Sequence, residues 1–198
     1  MRGLNSGKFL LPAAAVLLLA TVSPGCDSRE ADNMCEEPTI EPHLSPVNFG
    51  DLYTTEDGGT GGGGAQTVPY EWVLLLMSKC KEAVTVTAAC FAGTTHSGAP
   101  ANTAFFVEGP VPAAIEGGKE AAVRITYSPS APNADTNGDG VPDPDNVALV
   151  VQSNAKNYPT LVVPICARLV AAGTERTAFE CTSPVTLAPG AKDETLCQ

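Results

Sequence analysis

Histidine is nearly absent from this chain. His43 and His96 are the only two in 198 residues, and neither stands near a second ligand at metal-binding spacing. Both are expected to be ordinary loop histidines. There is no Gly-x-Ser-x-Gly elbow and no His-Glu-x-x-His pair, so the sequence carries no signature of a serine hydrolase or a zinc protease. Cys80 and Cys90 lie ten residues apart, not in Cys-x-x-Cys, which argues against redox catalysis and structural zinc. Glu36-Glu37 belongs to a charged segment and makes no acid pair. Basic residues are also scarce: 11 Lys and Arg oppose 22 Asp and Glu, for a net charge of −11. Nucleic acid and anionic lipid surfaces would repel such a chain. Charged residues total only 17 %, and no stretch beyond the amino terminus holds a helical period. With 19 Gly and 17 Pro, the composition favours a turn-rich β domain.

What is present begins with an export segment. Arg2 and Lys8 are the only charges before Cys26, and they precede an apolar run, Phe9–Ala20, too short to stay in a bilayer as a permanent span. Residues 1–25 are therefore expected to be a signal peptide, which places the mature chain in an oxidising compartment. The run ends at Ser23-Pro24-Gly25-Cys26. This resembles the lipobox of bacterial lipoproteins, although Ser23 stands where an aliphatic residue is usual. The resemblance implies a lipid on Cys26 and attachment to a membrane through that anchor only. Cysteine parity agrees: with Cys26 set aside, Cys35, Cys80, Cys90, Cys166, Cys181 and Cys197 can all pair, in any of 15 connectivities. The alternative is ordinary signal cleavage with one spare thiol.

Residues 26–45 are acidic, proline-bearing and aperiodic, and predict a tether. From Pro46 the pattern changes to short alternating runs. Val47–Tyr53 predicts a first strand. The Gly-rich stretch around 58–64 has no basic residue at phosphate-loop spacing and predicts a plain loop. Val68–Met77 is the most apolar run of the mature chain and predicts a strand buried on both faces, forming a hairpin with Ala83–Phe91. Ala104–Val107, Ala121–Tyr127, Asn146–Gln152 and Thr160–Val170 follow, with Val147, Leu149 and Val151 inward and with Pro164 implying an edge or a bulge. About seven strands at regular spacing predict an all-β, immunoglobulin-like β-sandwich over residues 46–170. In the extension 171–198, Phe179–Cys181 and Val185–Leu187 are candidates for short extra strands.

The order of these pieces is similar to the Hydin-type (major-sperm-protein-like) immunoglobulin-fold domain. It is carried by Val47–Gly50, Phe105–Val107, Ile115–Lys119, Val123–Pro129, Leu149–Asn154 and Val162–Ile165. The resemblance implies a binding or scaffolding module without shared catalytic residues.

One loop specifies a chemistry. Asp135-Thr136-Asn137-Gly138-Asp139-Gly140-Val141-Pro142-Asp143 sets side-chain oxygens at relative positions 1, 3, 5 and 9, with glycine at 6. That is what a calcium loop needs: alternating hard ligands and a sharp turn. Asp135, Asn137, Asp139 and Asp143 are the candidate side-chain ligands, and the Val141 carbonyl is the candidate backbone ligand. The loop resembles the calcium repeats of thrombospondin type 3 and dockerin modules. Asn146 stands where an EF-hand has its bidentate Glu, and Asp145 either compensates or stays solvated. A solvated acidic turn is the competing reading.

The expectation is thus a non-catalytic, membrane-anchored cell-envelope lipoprotein that is calcium-stabilised and faces an unknown protein or envelope partner. An exported enzyme subunit built from scattered residues, or a disulfide-stapled inhibitor using loop 94–102 as bait, stand as alternatives.

Overall fold

The computed structural model describes residues 35–54 and 69–198, which belong to one compact unit. The signal segment, Cys26 and the Gly-rich stretch lie outside the described residues. Nine strands are found among the described residues: β1 (Glu41–Pro42), β2 (Val47–Tyr53), β3 (Tyr70–Met77), β4 (Val84–Ala92), β5 (Phe105–Glu108), β6 (Ala114–Ile115), β7 (Glu120–Tyr127), β8 (Asp145–Ser153) and β9 (Thr160–Val170). One sheet has the order β1-β3-β7-β5 and the other β2-β9-β8-β4-β6. Pairing is antiparallel except between β2 and β9. This is the strand order of an immunoglobulin-like sandwich, its first strand divided between the sheets. The two strands beyond the expected seven are β1 and β6, each of two residues.

The alternating residues meet between the sheets. Leu74, Leu76, Val123, Ile125 and Phe105 come from one side; Val147, Leu149, Val151, Val163 and Ile165 from the other. Each such side chain contributes roughly 1.5–3 kcal/mol when fully buried. At one end of this core the rings of Phe105 and Tyr127 lie 4.7 Å apart.

Four expectations are corrected. First, β3 is not buried on both faces: Val73 is 50 % exposed, because nothing among the described residues covers the outer side of its sheet. Second, β3 and β4 do not form a hairpin. β3 pairs with β1 and β7, and β4 with β6 and β8. Their apolar faces oppose one another across the core, so the connection must change sheets. Cys80 lies at this corner, bridged to Cys35 with Cα atoms 4.7 Å apart. Gly117 packs against the same corner so closely that a Cβ there would fall 1.9 Å from the Lys81 carbonyl oxygen.

Third, residues 35–45 are not tether. Ile40 is fully buried, and its backbone N–H and C=O are both engaged by the Asn157 amide, at 2.9 and 2.8 Å. Fourth, the tail past Val170 forms no strand. It crosses the outer face of the larger sheet, tied by the Cys166–Cys181 and Cys90–Cys197 bridges. Its N–H groups go to scattered acceptors instead of a ladder: Thr182 N donates to Asn146 Oδ1, Asp193 N to Thr160 Oγ1 and Gly190 N to the Asn157 carbonyl. With the tail in place, Ala148 and Val150 are fully buried although they alternate with the inward residues of β8. Pro164 behaves as expected for an edge. Residues Thr160–Pro164 have β8 as their partner, and β2 joins β9 only from Ile165, so the missing N–H breaks no ladder bond.

Candidate functional site

The predicted calcium loop joins β7 to β8 at one end of the sandwich. It closes on itself through side chains. Asp135 accepts from the N–H groups of Gly138 and Gly140, at 2.7 and 2.8 Å. Asn137 Oδ1 accepts from Asp139 N, and Asp139 Oδ1 from Val141 N. Asp143 accepts from the backbone and hydroxyl of Thr136 and from Asn137 Nδ2. The Thr136 bonds hold the Asp143 carboxyl below the usual carboxylate range, with further help from the Asn137 contact and His96. Gly140, at φ +87°, takes the left-handed turn that a side chain would strain. The five predicted positions thus share one exposed loop, and its donors are hard oxygens. Yet among the described residues no three His, Cys, Asp or Glu groups converge as a metal would require. Each carboxylate has turned toward a nearby donor.

Both ends of the loop are anchored more deeply than its tip. The Pro142 carbonyl accepts from Arg168 Nη1 at 3.0 Å. Arg168 is 2 % exposed. Its Nε lies 2.6 Å from Asp51 Oδ1, its Nη2 donates to the carbonyl and hydroxyl of Thr177, and its guanidinium stacks over Phe179 at 4.6 Å. One cation therefore joins β2, the acidic loop and the tail to β9. Burial pushes the Asp51 carboxyl up, but Arg168 and the Thr177 N–H outweigh it and hold it low.

On the other side, Asp145 does not stay solvated or face the loop. It is 1 % exposed and accepts from Tyr127 Oη at 2.7 Å and from His96 N at 2.6 Å. His96 Nδ1 lies 2.7 Å from the same carboxylate. Asn133 Nδ2 also lies 3.0 Å from this Nδ1, so the ring nitrogen is shared between a carboxylate and an amide, and Nε2 has no partner among the described residues. Asn133 completes the cluster by donating to the Asp143 carbonyl and accepting from Leu169 N, both at 2.8 Å. Burial, and then the Asp145 charge, raise the Tyr127 phenol well above its ordinary value. His96 is accordingly no bland loop residue. It lines a cavity of about 270 Å³ with Thr95, Ser97, Ser130 and Pro132, and Asp145 is the one carboxylate in that lining.

Loop 94–102 is braced, by the Thr94–Pro100 bridge and by Thr95 N to Ala99 O. Its tip, however, is a tight turn closed from Gly98 N to Thr95 O, and not the extended main chain that a protease cleft accepts.

Neither His96 nor Arg168 has a motif around it, since their partners lie 49 and 117 residues away. The legible signal was a charged residue within an apolar strand: Arg168 follows Ile165-Cys166-Ala167 and precedes Leu169-Val170.

No family model matches the chain, and no curated protein matches it. Among solved structures it is similar to a protein of unknown function from Porphyromonas gingivalis W83, at 13 % identity and a TM-score of 0.45, over 68 % of this chain and 48 % of that one. The chain thus spans about half the length of that structure. It is also similar to a PapD-like domain of human CEP192, at 18 % identity and a TM-score of 0.41, covering 81 % of this chain and 99 % of the other. A Pseudomonas aeruginosa CupB2 chaperone gives 15 % identity and a TM-score of 0.39, over 65 % and 55 % of the two chains. The immunoglobulin-like assignment rests on this chain's own strand order.

Proposed function

We propose that this chain is a non-catalytic, membrane-anchored cell-envelope lipoprotein whose β-sandwich binds or scaffolds another envelope component. The observation that carries the reading is the cysteine pairing. Three bridges use Cys35, Cys80, Cys90, Cys166, Cys181 and Cys197, which leaves Cys26 as the one cysteine the fold does not require. Three disulfides suit an oxidising compartment, and the seventh cysteine is left available for a lipid. The test is fractionation: the wild-type chain sediments with membranes, and Cys26→Ser is released to the soluble fraction. Equal distribution of the two would overturn the anchor.

Calcium belongs to the same proposal. The Asp135 loop is exposed, offers only oxygen ligands and carries glycine where the turn is sharpest. Asp135, Asn137, Asp139, Asp143 and the Val141 carbonyl would hold the ion. Binding would require the carboxylates to turn from their N–H donors toward one point. The ion would supply charge neutralisation and loop rigidity, not a reaction.

The His96–Asp145 pair beside a cavity is the observation that favours an exported enzyme subunit. The hydroxyls of Thr95, Ser97 and Ser130 line that cavity but make no hydrogen bond to His96 among the described residues, and Asp145 has no second acid beside it there, so no nucleophile is paired with a base and the binding reading stands ahead of it.

A further inference from the structure

The sandwich has two distinct ends. At one lie the β3–β4 corner (78–83), the β6–β7 turn (116–119) and the β8–β9 turn (154–159). At the other lie the acidic loop, the 93–104 segment with its cavity, the end of β2 and the start of β3. The first end receives the amino-terminal segment. Cys35 is bridged to Cys80, Lys81 N donates to the Cys35 carbonyl, and Lys156 N donates to the Pro38 carbonyl.

We infer that the Cys35–Cys80 bridge orients the domain on the membrane, holding this corner against the bilayer and pointing the acidic loop and the His96 cavity outward. The inference rests on the lipid anchor at Cys26. Cys35 follows Cys26 by nine residues. Nine residues span at most about 31 Å. The eight residues of β3 run about 26 Å from one end to the other. Inverting the domain would therefore place Cys35 about one strand length from the bilayer, close to the greatest distance that nine residues can span.

Charge does not make this choice. Lys79, Lys81, Lys119 and Lys156 are exposed at the anchored end, but so are Glu36, Glu37, Glu82, Glu116 and Glu120, and Lys79 and Lys81 are paired to Glu41 and Glu36. The outward end exposes Asp135 and Asp139, with Asp143 half-buried. The surface offered to a soluble or envelope partner is then the acidic, cavity-bearing end.

The test uses the full lipidated chain on phosphatidylethanolamine–phosphatidylglycerol vesicles that carry a headgroup nitroxide quencher. Trp72, the only tryptophan, lies near the outward end and reports from the wild type. Two further probes are placed in a Trp72→Phe background: Lys119→Trp at the anchored end and Asp139→Trp at the outward end. Unchanged melting and three intact bridges establish that each variant folds. The expected result is a large loss of Lys119→Trp emission on vesicles, with Asp139→Trp and native Trp72 unquenched. Protein that floats with vesicles but is quenched equally at both probes, or more at Asp139→Trp, overturns the orientation alone. Protein that fails to float overturns the anchor, and the orientation with it.

Discussion

Arg168 and Asp51 form a buried ion pair: Nε and Oδ1 are 2.6 Å apart, and both side chains are under 5 % exposed. Because the same guanidinium also holds Pro142 and Thr177, this pair ties the strand core to the acidic loop and to the tail.

Removing one partner leaves the other charged and buried, which typically costs 3–5 kcal/mol or about that. Arg168→Gln and Asp51→Asn should each lower the urea midpoint strongly. The double variant should lose less than the sum, since neither buried charge is then stranded. Additive losses would show that the pair is not coupled.

The same pair fixes an acid response. The Asp51 carboxyl is held below its ordinary value of 3.8 in the folded state. Its contribution is present above the unfolded-state value and disappears as pH falls through the lowered folded value. Stability measured by urea titration should therefore drop below about pH 4, where carboxylates protonate. Asp51→Asn should flatten that part of the profile. An unchanged acid slope in the variant would assign the effect to other carboxylates.

The tail is predicted to be held by covalent closure as much as by packing. The Cys90–Cys197 bridge joins residues 107 apart. Replacing both cysteines with Ala should cost about 2–5 kcal/mol and open residues 171–198 to limited proteolysis, while the sandwich survives. Cleavage in the core at the same rate would mean that the tail is part of one folding unit with it.

For calcium, the expected outcome is a higher melting temperature in millimolar calcium than in chelator, with Asp139→Asn reducing the difference. Ligand at a hundredfold excess over Kd stabilises by about 2.7 kcal/mol. Superimposed melting curves would leave the loop as the self-closed acidic turn its hydrogen bonds already describe.

Much of the fold was legible because strand alternation survives in the residues themselves. β2 runs Val47–Tyr53, as its pattern predicts, and Val147, Leu149 and Val151 point into the core. Which strands pair was not legible. Val73, Leu75 and Met77 look as buried as Leu74 and Leu76 in sequence, and only the coverage of a sheet decides which set meets the core. The burial of Ala148 and Val150 likewise depends on a tail whose own residues carry no strand period. At the candidate site, local spacing exposed the acidic loop, but the His96–Asp145–Tyr127 cluster is assembled by tertiary contact and leaves no local pattern.

The most direct measurement is the intact mass of the membrane-extracted chain, alkylated without reduction. The account predicts a chain beginning at Cys26 that carries a lipid mass and takes up no alkylating groups, since the other six cysteines are bridged. An unlipidated chain with one alkylated thiol would contradict the membrane anchor, and with it the proposed function.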